Sequence, residues 1–194
     1  MSRAQSNFNL AQSGEIMKRY FMGGIATLVL ISAAAVSQTP PPMPKPGPEQ
    51  KKLEYFAGSW KSEGDVKPGP MGPGGKFTST AKAEMMDGGF FLVMHADMKL
   101  PGFGDGKGLS VMGYNANDKN YTYTDYNSWG EMEVAKGTVD GDTWTWTDEN
   151  KMGDKVVKGR YTMMIKSPTS YDFKYEMSTG GDYATVMEGK ATKQ

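Results

Sequence analysis

The stretch Tyr171-Asp172-Phe173-Lys174-Tyr175-Glu176-Met177 decides the fold. Its odd positions are aromatic or apolar and its even positions charged, the two-residue period of a β-strand with one face packed and the other in water. Thr143-Trp144-Thr145-Trp146-Thr147 repeats the pattern, with both Trp side chains on one face. Between Phe90 and Met98 the even positions are all apolar, whereas the odd ones turn polar at His95 and Asp97. One-sided strands of this kind bury their apolar face only against a second layer or by closing into a barrel.

Outward from these segments, ten short runs rich in Thr, Tyr, Val, Trp and Phe follow one another, at 58–66, 77–87, 89–98, 107–115, 120–127, 131–139, 143–149, 155–166, 170–178 and 182–191. Turn residues separate them. Asp140-Gly141 is a type I′ hairpin signal, and Asn115–Asn120 and Ser167–Ser170 are polar turns. Beyond the N-terminal region only Glu49–Phe56 has helical spacing, with Leu53 and Phe56 on one face. The pattern predicts an all-β fold: an up-and-down antiparallel β-barrel of about ten strands, preceded by a short helix. Closure is preferred to a ten-stranded sandwich because it removes exposed strand edges.

The chain has 194 residues, 22 of them Lys or Arg and 22 Asp or Glu, so it carries no net charge. That leaves no electrostatic case for binding nucleic acid. The absence of Cys excludes disulfides, thiolate catalysis and Cys-ligated metals, and a single His excludes His-rich metal sites.

Met17-Lys18-Arg19 opens a basic segment that runs into the apolar stretch Tyr20–Val36 and a small-residue exit at Ala35-Val36-Ser37. This order is that of a secretory signal peptide over residues 1–37, which predicts a secreted or periplasmic protein. Residues 1–16 are polar and read as an over-extended start or a long n-region. Residues 38–50 hold six prolines and read as an extended Pro-rich linker. Residues 51–194 then form the barrel domain, and nothing after Gln38 approaches the length of a membrane span.

Leu53-Glu54-Tyr55-Phe56-Ala57-Gly58-Ser59-Trp60, a short helix running into Gly-x-Trp, resembles the opening of lipocalin-type barrels, the calycins. A longer series also resembles a bacterial exported domain family of unknown function. It comprises Lys67–Gly75, Gly88–Phe91, Met112–Tyr114, Gly137–Trp146, Ser167–Tyr171 and Met187–Gly189. The resemblance runs from about residue 45 to the C-terminus. It implies a calycin barrel in which Gly58 and Trp60 are structural, with Trp60 plugging the closed end. It implies no activity, because the family has none established.

After residue 37 the chain holds 13 Met and 19 aromatic residues but only four Leu and one Ile. Adaptable Met and amphipathic aromatics suit a cavity for a small apolar or amphipathic ligand. Strand parity points Met94, Trp144, Trp146, Tyr161, Tyr171, Phe173 and Tyr175 inward, with Tyr hydroxyls and indole nitrogens as polar anchors. The alternative is a structural or interaction domain whose filled core leaves recognition to surface loops.

No catalytic constellation can be assembled, and no cofactor or metal is expected. Met94 and Met98 share a face but stand roughly 13 Å apart along a strand, too far to share copper. Gly102–Gly108 lacks the spacing of a P-loop; it and the Lys67–Gly75 loop read as connections or as lids over a pocket. Nitrobindin-like calycins hold haem through a His. His95 instead falls on the face opposite Leu92 and Met94, with Asp97 beside it as an orienting partner.

Overall fold

A computed structural model describes residues 43–69 and 72–194. The export signal read over residues 1–37 and the first part of the Pro-rich linker lie outside the described residues. Ten strands follow in order: β1 (Gly58–Val66), β2 (Gly75–Met85), β3 (Leu92–Leu100), β4 (Gly104–Asn115), β5 (Asn120–Asn127), β6 (Met132–Asp140), β7 (Thr143–Met152), β8 (Lys155–Ser167), β9 (Ser170–Ser178) and β10 (Ala184–Lys193). Each pairs antiparallel with its neighbours in sequence, and β1 pairs with β10 to close the barrel. The architecture is thus an all-β, lipocalin-like, up-and-down antiparallel barrel.

Two turns differ from the sequence reading. The break between β2 and β3 spans 86–91, because Gly88 and Gly89 both adopt positive φ (92° and 74°) and turn the chain before Phe90. Phe91 therefore lies outside the barrel wall, its ring against Gly113. The β6–β7 hairpin turns on Gly141-Asp142 rather than Asp140-Gly141. Only Gly141 has positive φ (55°), which fits glycine in the first central place of a II′ turn and not the I′ turn expected.

The helical approach begins earlier than Glu49. Helix α1 (Pro48–Lys52) starts with proline in its first turn, and the Gln50 side chain accepts a hydrogen bond from Gly47 N at 3.0 Å. The last three residues of the stretch read as linker thus belong to the helix. A 3₁₀ turn, Leu53–Phe56, continues it and buries Leu53 and Phe56 completely or nearly so. Glu49 accepts a hydrogen bond from the Tyr121 hydroxyl at 2.5 Å, fastening α1 to β5. Lys52 and then Tyr121 hold the Glu49 carboxyl below its ordinary pKa.

These elements plug one end of the barrel. Trp60 is 4% exposed, and its Nε1 donates to Phe56 O at 2.8 Å. Its ring lies 5.1 Å from that of Tyr171, and Phe56 meets Trp144 edge-on at 5.0 Å. Gly58, which begins β1, has φ 117°, a conformation closed to side-chain-bearing residues. Trp60→Ala would leave a large void beneath the 3₁₀ turn and should cost about 3–5 kcal/mol. Thermal unfolding should show the melting temperature lowered by roughly 10 °C in a domain of this size. An unchanged melting curve would remove Trp60 from the plug.

A candidate ligand site in the open half of the barrel

Strand register places all seven proposed lining residues on the inner face. Trp144 pairs with Met163, Trp146 with Tyr161, Tyr161 with Tyr175, and Met163 with Phe173, while Ile165 pairs with Tyr171. Met94 lies opposite Ala83 and packs on the core. The seven do not occupy one depth. Trp144 and Tyr171 belong to the plug, in ring contact with Phe56, and Tyr121 lies 4.7 Å from Trp144. The next layer toward the open end holds Trp146, Tyr123, Tyr161, Phe173 and Met94. There Tyr123 and Trp146 approach to 5.6 Å and Tyr161 stacks on Phe173 at 5.7 Å. Tyr175 lies one step further out, 6.5 Å from Tyr161.

Beyond this aromatic layer the inner face turns acidic, a change the sequence reading missed. Asp125 follows Tyr123 by two residues on β5, and Asp148 follows Trp146 by two on β7. Glu133 on β6 lies directly across from Asp125. The two-residue period of each strand places these carboxylates on the inner face, whereas their charge alone suggests solvent. A glycine makes room for one of them: a Cβ on Gly159 would collide with the Asp148 carboxylate. Ser110 and the Tyr123 hydroxyl both reach Asp125 Oδ1, at 2.5 and 3.2 Å. Asn150 donates to Asp148 Oδ1 at 2.8 Å across a single residue.

The electrostatics follow from this crowding. Burial first, then the charges of Asp148, Asp125 and Glu131, pushes the Glu133 carboxyl from 4.5 up to about 7. Burial likewise raises Asp148, partly offset by Asn150 and the Gly159 N–H. The hydroxyls of Tyr123, Tyr161 and Tyr175 are raised chiefly by burial and so remain neutral donors near neutrality. Among the described residues, neither Glu133 nor the hydroxyls of Tyr161 and Tyr175 have a hydrogen-bond partner. Trp146 Nε1 is buried and also unpartnered. The benzo edge of that indole lies over Gly137, where a Cβ would come within 2.6 Å of it. Its nitrogen edge is therefore on the side of the ring away from Gly137.

Trp129, also missed, covers the mouth. It continues the inner parity of β5 past Asn127, and its ring occupies the space beside Gly106. Phe103, from the Gly-rich β3–β4 turn, meets it at 5.6 Å. The open end is thus framed by two aromatic side chains on hairpin tips. Two concavities of about 1250 and 640 Å³ lie elsewhere, lined mostly by outward-facing residues such as Arg160, Lys174 and Glu176, or Asp97 and Lys107.

His95 is exposed on the outer face of β3, and Asp97 is paired with Lys107, not with His95 as expected. No group of three or more acidic or His side chains among the described residues has the geometry to hold a metal ion. No helix among them is long and apolar enough to cross a membrane.

With this geometry in place, the class of protein is a lipocalin-like barrel with one plugged and one polar, aromatic-framed end. Residues 45–193 match the family described as protein of unknown function (DUF1579), and the chain belongs to that family. No curated protein matches it. Among solved structures it is similar to Rv2717c from M. tuberculosis, at 13% identity and a TM-score of 0.53, over 76% of this chain and 98% of the other. It is also similar to the S-type phycobiliprotein lyase CPES from Guillardia theta, at 11% identity and a TM-score of 0.52, over 75% of this chain and 92% of that one. At these identities the likeness is one of fold.

The position of Glu133 sets a measurable pH dependence. With its folded pKa raised from 4.5 to about 7, the native state holds a proton that the unfolded chain releases. Stability contributed by this site therefore falls as pH rises from about 4.5 to 7. Glu133→Gln should remove that slope, matching the parent protein near pH 5 and melting above it near pH 8 in scanning calorimetry. An unaltered slope would mean that Glu133 is hydrated and ionised at neutrality.

Proposed function

We propose that the protein is an exported barrel that binds one small aromatic or amphipathic molecule in the open half of its interior. The observation that carries this reading is the arrangement of the lumen. A plugged, apolar end grades into an aromatic wall that holds a buried, unpartnered Trp146 Nε1 and the half-buried rings of Tyr161 and Tyr175. An apolar wall with a few convergent polar groups is what a small-molecule site requires. The similarity in fold to a phycobiliprotein lyase is consistent with a ligand held by a barrel. Export rests on the signal-peptide order of residues 1–37. N-terminal sequencing of the protein recovered from the cell envelope or medium should begin after residues 35–37; a chain starting at Met1 or Met17 would overturn it.

A second reading has one observation in its favour. Leu109, Tyr126 and Met132 lie side by side on the outer face of β4, β5 and β6, all exposed, with Val134 beside them. An exposed apolar row of this kind suits an interaction domain with a filled core.

Binding of the neutral fluorophore phenylnaphthylamine separates the two. The ligand reading expects its emission to rise and Trp emission to fall on titration. Trp146→Leu should weaken binding by about tenfold, the scale of one lost aromatic contact, with cooperative unfolding retained. No binding by the folded protein would leave the interaction reading.

A further inference from the structure

The outer surface of the barrel has two unlike halves. Around the β1–β10 seam, charge runs through both cross-strand rows: Lys174, Glu188, Asp65 and Lys76 in one, Asp172, Lys190 and Glu63 in the other. Opposite signs meet there, Lys67 with Glu188 at 2.6 Å and Lys76 with Asp65 at 2.8 Å. The outer face of β3 to β6 is built differently. Its rows read His95, Leu109, Tyr126, Met132 and then Val93, Val111, Thr124, Val134. A third holds Gly113, Thr122 and Lys136, with the Phe91 ring over Gly113. Lys136, at a corner, is the only Lys, Arg, Asp or Glu in these three rows. Phe91, Leu109, Tyr126, Met132 and Val134 are each 37% to 60% exposed. Together they bare on the order of 500 Å² of side chain, toward the upper end for one patch on a monomer.

The chemistry of this face narrows what can cover it. A nucleic acid, an acidic peptide or an anionic membrane requires cations, and one Lys at a corner does not supply them. Closure leaves no strand edge, so a partner cannot add a strand to the sheet. A second copy needs no counter-charge, because a two-fold contact lays the face on itself, apolar on apolar. The chain carries no net charge, so two copies meet without long-range repulsion. The area agrees. Two such faces would bury about 1,000 Å² between them, the threshold of a specific interface and well short of a permanent one.

We propose that the outer face of β3 to β6 is a self-association surface, through which the protein forms a reversible, two-fold symmetric dimer. β5 is the middle strand of the exposed side chains, and the axis runs along it. Thr124 and Tyr126 then meet their own counterparts, Leu109 meets Met132 of the second copy, and Val111 meets its Val134. Lys136 falls over Gly113 of the second copy, beside the Phe91 ring, whose face favours a cation. This rests on the second reading above only in taking the outer row as an interaction surface, and it is independent of what the interior holds.

The test is sedimentation velocity over rising concentration, on the protein purified as the cell processes it. A monomer–dimer equilibrium is expected. Val134→Glu, which places an unpaired carboxylate in each half of the contact, should weaken the dimer at least tenfold. Thr78→Glu, on the outer face of β2, should leave it unchanged. A second measurement uses the absence of Cys from the chain. Thr124→Cys should be joined into pairs by a short bismaleimide, and Thr78→Cys should not. A monomer at every concentration, a dimer indifferent to Val134→Glu, or cross-linking at Thr78→Cys in place of Thr124→Cys would overturn the proposal. A monomer that binds neutral phosphatidylcholine vesicles, and loses them in Val134→Glu, would overturn it in favour of a lipid surface. A monomer that binds no vesicles would overturn the outer row as an interaction surface altogether. Phenylnaphthylamine binding should be the same in Val134→Glu as in the parent, so none of these outcomes bears on the ligand reading.

Discussion

The barrel depends on the closure of β1 against β10, and that closure depends on a pair of glycines. Gly64 and Gly189 face each other across the seam. A Cβ on Gly64 would fall 2.6 Å from Gly189 Cα and 2.8 Å from the Phe77 ring, and one on Gly189 would fall 2.8 Å from Phe173. With no side chains there, the two strands approach the lumen closely and the Phe77 and Phe173 rings, 5.8 Å apart, cover them from within. Closure then satisfies the backbone of all ten strands and leaves no edge for another chain to extend. On the outside the same pair lies among the residues lining the larger concavity, between Glu63 and Glu188.

Once closed, the interior is organised by depth. The plugged end is held by rings in contact and by directed hydrogen bonds from Trp60 to Phe56 O and from Tyr55 to the carbonyls of Ser167 and Ser170. Glycine recurs wherever a large inward side chain needs space: Gly137 under Trp146, Gly106 under Trp129, Gly159 under Asp148. The interior is therefore not a uniform apolar core. It changes from close aromatic packing to a layer of hydroxyls and carboxylates within two residues along β5 and β7, and Glu133 titrates near neutrality because that change is abrupt.

Much of the fold could be read from alternation. The ten strands, the short helix and the inward direction of Trp144, Trp146, Tyr161, Tyr171, Phe173 and Tyr175 follow from a period of two and from turn residues, both local properties. Details that hinge on backbone conformation were less legible. The β2–β3 break depends on two successive glycines in positive φ, and the β6–β7 turn on which of its residues adopts it. Asp97 was matched to His95 by proximity along one strand, whereas its partner Lys107 comes from the neighbouring strand, which register alone brings opposite.

The sequence by itself determined the class of fold, the number of strands and the face on which each side chain lies, because those follow from residue type and spacing along one strand. Only the tertiary structure decided depth. Whether an inward residue joins the plug, as Trp144 and Tyr171 do, or the lumen, as Trp146 and Tyr161 do, depends on the stagger accumulated over ten paired strands. The same holds for Asp125, Glu133 and Asp148. Nothing along any one strand reveals that Asp125, Glu133 and Asp148, from three consecutive strands, come near enough for their charges to act on one another, since that proximity exists only once the strands have paired.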